Sequence, residues 1–193
     1  MSEVSERYRR VADAFGVRLE AVKADQWDLP TPCGDWDVRA LVAHVVATQG
    51  RVVENVLDAP LADVDPSGDL PAQWSTATQA VSDALDDPDR AGRTVGGMFG
   101  EQPYETLVGR LLCSDTLFHT WDLARATGQD EQLDPDAAAK AMEFLRPIDE
   151  AIRRPGGFAA KLDAPSGADE QTRLLCFGGR PPDWQRSRGE RTG

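Results

Sequence analysis

Apolar residues recur three or four positions apart along most of the chain, which is the spacing of one face of an α-helix. The first such stripe predicts an amphipathic helix over residues 5–22. Similar stripes predict long helices over about 38–57, 71–85, 103–126 and 135–152, and a brief helix over 169–177. The stripe that begins at Val38 is rich in valine, but it is too long for an ordinary strand.

Residues that start or stop helices separate these stripes. Asp37 and Asp134 each precede a predicted helix, where an aspartate side chain can accept a hydrogen bond from the first turn. Gly128 follows the helix over 103–126 and is typical of a C-terminal cap. Pro147 is expected to kink or break the helix that contains it. Two prolines and a glycine within residues 27–36 predict an ordered loop there.

Together these elements predict a mainly α-helical protein, a four-helix bundle with a small C-terminal cap. An antiparallel bundle is the usual arrangement of long helices joined in this way. The 193 residues suit a single core, and no internal repeat is visible. We expect the helical bundle to span residues 1–154. We expect residues 155–193 to form a small extension that packs on the bundle and ends in a loose polar tail from Arg186.

Composition and charge narrow the classes of partner. Lysine and arginine number 21 and aspartate and glutamate 33, so the net charge is −12. Such a surface repels nucleic acid and anionic membranes, and neither is expected as a partner. The apolar run over residues 41–47 is far too short to span a bilayer, and residues 1–6 lack a signal-peptide pattern. We therefore expect a cytoplasmic protein with its three cysteines reduced.

The candidate chemistry lies in the two histidines, His44 and His119, which both fall inside predicted helices. Asp115 precedes His119 by one helical turn, so the two side chains share a face. If the helix of His44 runs beside this one, two imidazoles and one carboxylate meet. That set suits a catalytic divalent ion with coordination positions left open. Zinc is the first choice, and nickel, iron and manganese remain open.

Plainer interpretations of the same residues stay open at this point. A histidine in a helix is more often a hydrogen-bonded structural residue than a ligand. However, Asp115 lies on a largely apolar helix, where an unpaired carboxylate is costly and a metal would remove that cost. Asp122 shares a face with His119, and it either orients that imidazole from outside the ligand set or pairs with Arg125.

Other notable side chains are expected outside the ligand set. Trp36 and Trp121 are predicted to be core anchors, and lining a substrate pocket is the alternative. Cys33 and Cys113 have no partner at ligand spacing and are predicted to behave as small buried hydrophobes. Arg93 and Arg110 are candidates to attract an acidic substrate.

Three stretches of the chain resemble a known family. They are TPCGDWDVRALVAHV at 31–45, DTLFHTWDLARATG at 115–128 and TRLLCFGGR at 172–180. They are similar to the actinobacterial metal-binding branch of the DinB/YfiT-like superfamily, which is related to mycothiol-dependent maleylpyruvate isomerase. The resemblance extends from about Tyr8 to Trp184. It implies a four-helix bundle that holds a metal through one histidine and a carboxylate-x-x-x-histidine pair, matching His44, Asp115 and His119.

The resemblance also implies an activity. It suggests a thiol S-transferase or isomerase-like enzyme that activates a low-molecular-weight thiol of the mycothiol type as co-substrate. A metal-bound thiol ionises near neutral pH, and its thiolate would attack a small electrophilic substrate. Relatives of this kind often form homodimers. The isomerase has glutamate where this chain has Asp115, so isomerisation itself does not follow from the resemblance.

Two other functions compete with an enzyme. One is a non-catalytic metal-binding or ligand-sensing bundle, and the other is a helical interaction domain with structural histidines. A bound ion would exclude the helical interaction domain and leave the enzyme and the non-catalytic metal-binding bundle. Open coordination and a cavity then separate an enzyme from a structural metal site, in which the ion is fully ligated.

Overall fold

The computed structural model describes residues 2–34, 36–97, 99–153 and 157–186. In chain order its helices are α1 (Glu3–Glu20), α2 (Val38–Val53), α3 (Leu70–Asp86), α4 (Pro88–Ala91), α5 (Tyr104–Leu107), α6 (Cys113–Thr127), α7 (Pro135–Leu145), α8 (Asp149–Ile152) and α9 (Glu170–Phe177). A π-helical turn at Val108–Leu112 joins α5 to α6, and a 3₁₀ turn at Arg146–Ile148 joins α7 to α8. Two short antiparallel strands, β1 (Thr94–Val95) and β2 (Gln102–Pro103), precede α5.

Local sequence accounts for most of these boundaries. The caps predicted at Asp37 and Asp134 are confirmed, since each carboxylate accepts a hydrogen bond from a backbone N–H three residues ahead. Gly128 ends α6 with φ of 73°, a left-handed conformation that glycine adopts without strain. Pro147 lies in the 3₁₀ turn where α7 stops, as predicted.

One predicted helix is too long. The stripe over residues 38–57 predicts helix to its end, but α2 stops at Val53. The side-chain amide of Asn55 donates hydrogen bonds to the carbonyls of Arg51 and Val52, in place of backbone donors from a further turn. Val56 is still fully buried, so the apolar stripe continues past the end of the helix.

Four helices form the bundle that the sequence predicts. Helix α1 contacts α3 and α6, and α2 contacts the same two helices, so the four enclose one core. Fully buried core side chains include Phe15, Leu41, Val81 and Leu112. The mainly helical bundle fold is therefore confirmed.

The C-terminal half of the chain adds a second apolar cluster. Helix α7 packs against α6, and α9 packs against α7. Leu117 and Trp121 of α6 share this cluster with Leu174 and Leu175 of α9, and Trp121 is the buried anchor that the sequence predicts. The division between residues 1–154 and 155–193 stays a prediction, and the predicted loose tail lies outside the described residues from 187 onward.

The described helices also bear on membrane association. Within the described ranges, no helix combines the length and the apolar character needed to cross a bilayer.

Candidate metal centre

The contact between α2 and α6 brings the three predicted ligands together. Oδ1 of Asp115 lies 3.4 Å from Nε2 of His44 and 3.6 Å from Nε2 of His119. The ligand atoms of the three residues all lie within 4.8 Å of one another. His44 is 71 positions from Asp115 in the sequence, so packing of the bundle, and not local spacing, completes this group.

The second carboxylate oxygen of Asp115, Oδ2, bears on whether these three residues bind an ion. Oδ2 is buried and accepts no hydrogen bond from any described residue. A buried carboxylate oxygen without a partner is costly, and native structures seldom retain one unless an ion or water satisfies it. Two imidazoles and a carboxylate are ligands that zinc and related divalent ions accept, with positions left for exogenous groups. The residues at this position therefore fit a divalent ion.

A buried carboxylate orients His119 toward that position. Nδ1 of His119 lies 3.0 Å from Oδ2 of Asp122, whose side chain is fully buried. With Nδ1 as the donor, Nε2 is the nitrogen on the side of Asp115 that would bind an ion after losing its proton, which is the arrangement typical of metal-binding histidines. The expectation that Asp122 orients His119 fits this geometry. The alternative pairing with Arg125 is wrong, because Arg125 binds the carboxylate of Glu131 at 2.9 Å.

The sequence analysis missed a further member of this site, Arg180. Its Nη2 lies 2.9 Å from Oδ2 of Asp122 and its Nε lies 3.3 Å from Oδ1, so the guanidinium grips both oxygens. Arg180 is 7% exposed and comes from the segment that follows α9. That segment can approach α6 because Gly178 has no side chain, and a Cβ there would overlap the ring of Phe118. The one signal for Arg180 in the sequence was its position as the last residue of 172–180, the third stretch that resembles the known family.

Two residues of the loop before α2 also reach the centre. Sγ of Cys33 lies 3.3 Å from Nη2 of Arg180. The ring centroid of Trp36 lies 4.5 Å from that of His44 and 5.9 Å from that of His119. Both residues line a cleft that adjoins the site, as the alternative for Trp36 expected, whereas the absence of Cys33 from the ligand set stays a prediction. The path of this irregular loop cannot be read from periodicity.

Electrostatics favour positive charge among these carboxylates. Burial raises the pKa of Asp115, but the charges of His119 and His44 outweigh it and hold that pKa below the usual range. Burial lowers the pKa of His119, but the Asp115 charge and the hydrogen bond with Asp122 raise it to about 10. Burial likewise raises the pKa of Asp122, which the Arg180 charge brings down again. Both carboxylates therefore stay ionised, and in the metal-free chain His119 carries the positive charge near neutral pH. A divalent ion would replace the Nε2 proton of that imidazole.

A cleft of about 600 Å³ opens beside the three residues. Aromatic rings form much of its wall, among them those of Phe99, Phe118, Phe144 and Phe158. Polar groups enter it at Arg51, Asn55, Arg110 and Ser114. A largely apolar cavity with a few polar groups is typical of a small-molecule site. Of the two arginines predicted to attract a substrate, Arg110 lines the cleft, whereas Arg93 donates to the carbonyl of Val56.

A second group of potential ligands, Cys33, His119 and Asp122, lies next to the first. Its carboxylate is already bound on both oxygens, by Arg180 and His119, whereas Oδ2 of Asp115 has no described partner.

We therefore expect Cys33→Ala to keep the full metal content of the wild type. Cobalt(II) bound to the wild type should show no thiolate-to-metal charge-transfer absorption. Such a band, lost in Cys33→Ala, would assign the ion to the second group.

Comparisons with known proteins agree with this picture. The model of the family described as mycothiol maleylpyruvate isomerase N-terminal domain matches residues 8–124. Two uncharacterized proteins of Mycobacterium tuberculosis, from strains CDC 1551 / Oshkosh and ATCC 25618 / H37Rv, are each 33% identical over 178 residues. Each alignment covers 90% of this chain and 95% of the relative. No solved structure gives a significant match.

Proposed function

The chain belongs to the family of the mycothiol maleylpyruvate isomerase N-terminal domain, and from that premise we propose that it is a metal-dependent enzyme acting on a small thiol. His44, Asp115 and His119 would hold a divalent ion, with zinc as the first choice. A low-molecular-weight thiol of the mycothiol type would enter the adjoining cleft and add to a small electrophile. The product is either a stable thioether, as in an S-transferase, or an isomer released when the thiol leaves again.

The observation that carries this proposal is the buried Oδ2 of Asp115. It accepts no hydrogen bond from a described residue, and it belongs to a carboxylate that lines the cleft. The other oxygen of that carboxylate, Oδ1, lies within 3.6 Å of both histidines. A purely structural histidine pair would be expected to satisfy Oδ2 with a protein donor. The adjoining cleft supports an enzyme over a structural metal site, because substrate needs both space and open coordination positions.

Each residue of the centre would have a distinct part. When bound, a divalent ion lowers the pKa of a coordinated thiol, so that thiolate is present near neutral pH. Asp122 accepts a hydrogen bond from Nδ1–H of His119 and keeps that imidazole in the tautomer that binds through Nε2. Arg180 neutralises Asp122 and holds it in place. Trp36 packs against the ring of His44 and restricts its orientation.

The walls of the cleft support thiol addition chemistry in a second way. The rings of Phe118 and Phe158 pack edge to face at 5.0 Å, and those of Phe99 and Phe144 at 5.1 Å. These apolar surfaces exclude water around the reacting sulfur, which strengthens its interactions with charged groups. The shorter Asp115 still reaches both histidines from α6, so the replacement of glutamate does not disrupt the group.

The test combines metal analysis with a thiol assay on the untagged full-length chain. We expect about one divalent ion per chain. We expect zinc-loaded protein to accelerate either the loss of mycothiol to chlorodinitrobenzene, with chloride as the leaving group, or the isomerisation of maleylpyruvate, in which mycothiol is regenerated. Cysteine is the comparison thiol. His44→Ala should lose both the ion and the acceleration, whereas Asp58→Asn, which changes an exposed carboxylate that does not line the cleft, should keep both.

Each negative outcome separates the competing functions. A chain that binds the ion through these residues but accelerates no thiol reaction would be a non-catalytic metal-binding or ligand-sensing bundle. A chain that takes up no zinc, nickel, iron or manganese would contradict the proposal and leave a helical interaction domain with structural histidines.

A further inference from the structure

A second cavity, also of about 600 Å³, lies between the start of α1, the π-helical turn and helices α7 and α8. Three cationic side chains line it, Arg7, Arg110 and Lys140, together with one carboxylate, Glu143. The cations in its lining therefore outnumber the carboxylates, although the chain as a whole carries a net charge of −12. Such a concavity attracts anions.

Arg7 is the deepest of these cations. It is 8% exposed, and its Nε is buried without a hydrogen-bond partner among the described residues. No described carboxylate lies within ion-pair distance of its guanidinium. The nearby thiol of Cys113 does not neutralise it, because burial raises the pKa of that thiol to about 11 and keeps it protonated. A buried guanidinium without an anion is costly, and a ligand anion would remove that cost.

The other buried arginines in the described part of the chain are satisfied. Arg18 donates to three backbone carbonyls at 2.8 to 2.9 Å. Arg180 grips the carboxylate of Asp122. Arg7 therefore departs from the pattern that this protein follows elsewhere, because its Nε has no described hydrogen-bond partner and its side chain lines a cavity.

The rim of the cavity can adapt to a ligand. Lys140 pairs with Glu143 at 2.9 Å, but both side chains are largely exposed, and such surface pairs contribute little. Arg110 donates to the side-chain oxygen of Gln102 at 2.9 Å and keeps further donors. Gly109 lets the backbone approach α1 closely, because a Cβ there would lie 3.0 Å from Cγ1 of Val4 and 3.4 Å from Nη2 of Arg7.

We propose that this cavity is a binding site for a small dianion bearing carboxylate or phosphate groups, with Arg7 as its deep anchor and Arg110 and Lys140 at its rim. The planar guanidinium of arginine binds both kinds of oxyanion through paired hydrogen bonds. The site does not depend on the proposed metal centre. It adjoins the metal cleft, however, because Phe99, Arg110, Phe144 and Ile152 line both cavities.

Calorimetric titration of the full-length chain with sodium phosphate and with sodium succinate, at constant ionic strength, tests this site. We expect one anion per chain, and the preferred titrant identifies the phosphate or the dicarboxylate as the better ligand. Arg7→Met should weaken binding about tenfold or more, since it removes the buried partner of the anion. Lys140→Glu should also weaken it clearly. Lys161→Glu, the same charge reversal at an exposed lysine outside the cavity, should leave binding unchanged.

Other variants decide between this site and the metal centre. His44→Ala should bind the anion as the wild type does. If neither titrant binds, or if Arg7→Met folds and binds like the wild type, the proposal is overturned. It is also overturned if His44→Ala abolishes binding while Lys140→Glu does not, because the anion would then sit on the metal. If Arg7→Met does not fold, the comparison of Lys140→Glu with Lys161→Glu decides alone.

Discussion

Zinc added to the metal-free protein is expected to raise the free energy of unfolding by about 4 kcal/mol when the free ion stands about a thousandfold above its dissociation constant. For a chain of this length that gain corresponds to an increase in Tm of roughly 8–16 °C. The physical reason is that the folded chain brings His44, Asp115 and His119 within reach of one ion, whereas the unfolded chain does not. Thermal unfolding with and without zinc measures the effect.

The variant that tests this expectation most sharply is Asp115→Asn. It keeps the size of the side chain but removes the charge and the oxygen that has no described partner, so most of the zinc-dependent gain should disappear. Asp58→Asn removes the same charge from a side chain that is 89% exposed, and its response to zinc should match that of the wild type. A Tm that no divalent ion shifts, or an Asp115→Asn variant that responds like the wild type, would contradict a metal site here.

Replacing Arg180 is expected to have the second large effect. Arg180→Met leaves the fully buried Asp122 with His119 as its remaining charged partner and removes the guanidinium that binds both of its oxygens. Breaking a buried ion pair from one side costs about 3–5 kcal/mol of stability. Chemical denaturation measures this loss. Arg10→Gln removes an exposed arginine that pairs with Asp134 and Asp136, and it should cost no more than about 1 kcal/mol.

Two further measurements separate a positioning role of Arg180 from a merely structural one. Because Asp122 orients His119, Arg180→Met should also weaken zinc binding by about 10–100-fold. In the double variant Asp122→Asn/Arg180→Met no unpaired buried charge remains, so much of the stability should return while the zinc affinity stays low. A single variant that loses stability but binds zinc like the wild type would limit Arg180 to packing and charge balance.

Local patterns in the sequence account for most of the helices. The spacing of apolar residues predicts where they lie, and Asp37, Asp134 and Gly128 mark ends that the structure confirms. These features act within one or two turns, so they can be read without knowledge of neighbours. The same locality places Asp115 and His119 on one face of α6. His44 joins Asp115 and His119 only because α2 packs beside α6. The family resemblance implied this packing, whereas the spacing of residues alone left it conditional.

Only the tertiary structure decided the surroundings of that group. Arg180 reaches Asp122 across 58 positions, and Cys33 lies 147 positions from the Arg180 that contacts it. Both come from irregular segments, whose paths depend on long-range contacts and carry no periodic signal. The unpartnered oxygen of Asp115 and the unpartnered Nε of Arg7 are likewise properties of three-dimensional neighbourhoods. Helices follow from interactions between residues close in sequence, whereas the satisfaction of a buried charge depends on every chain segment that packs around it.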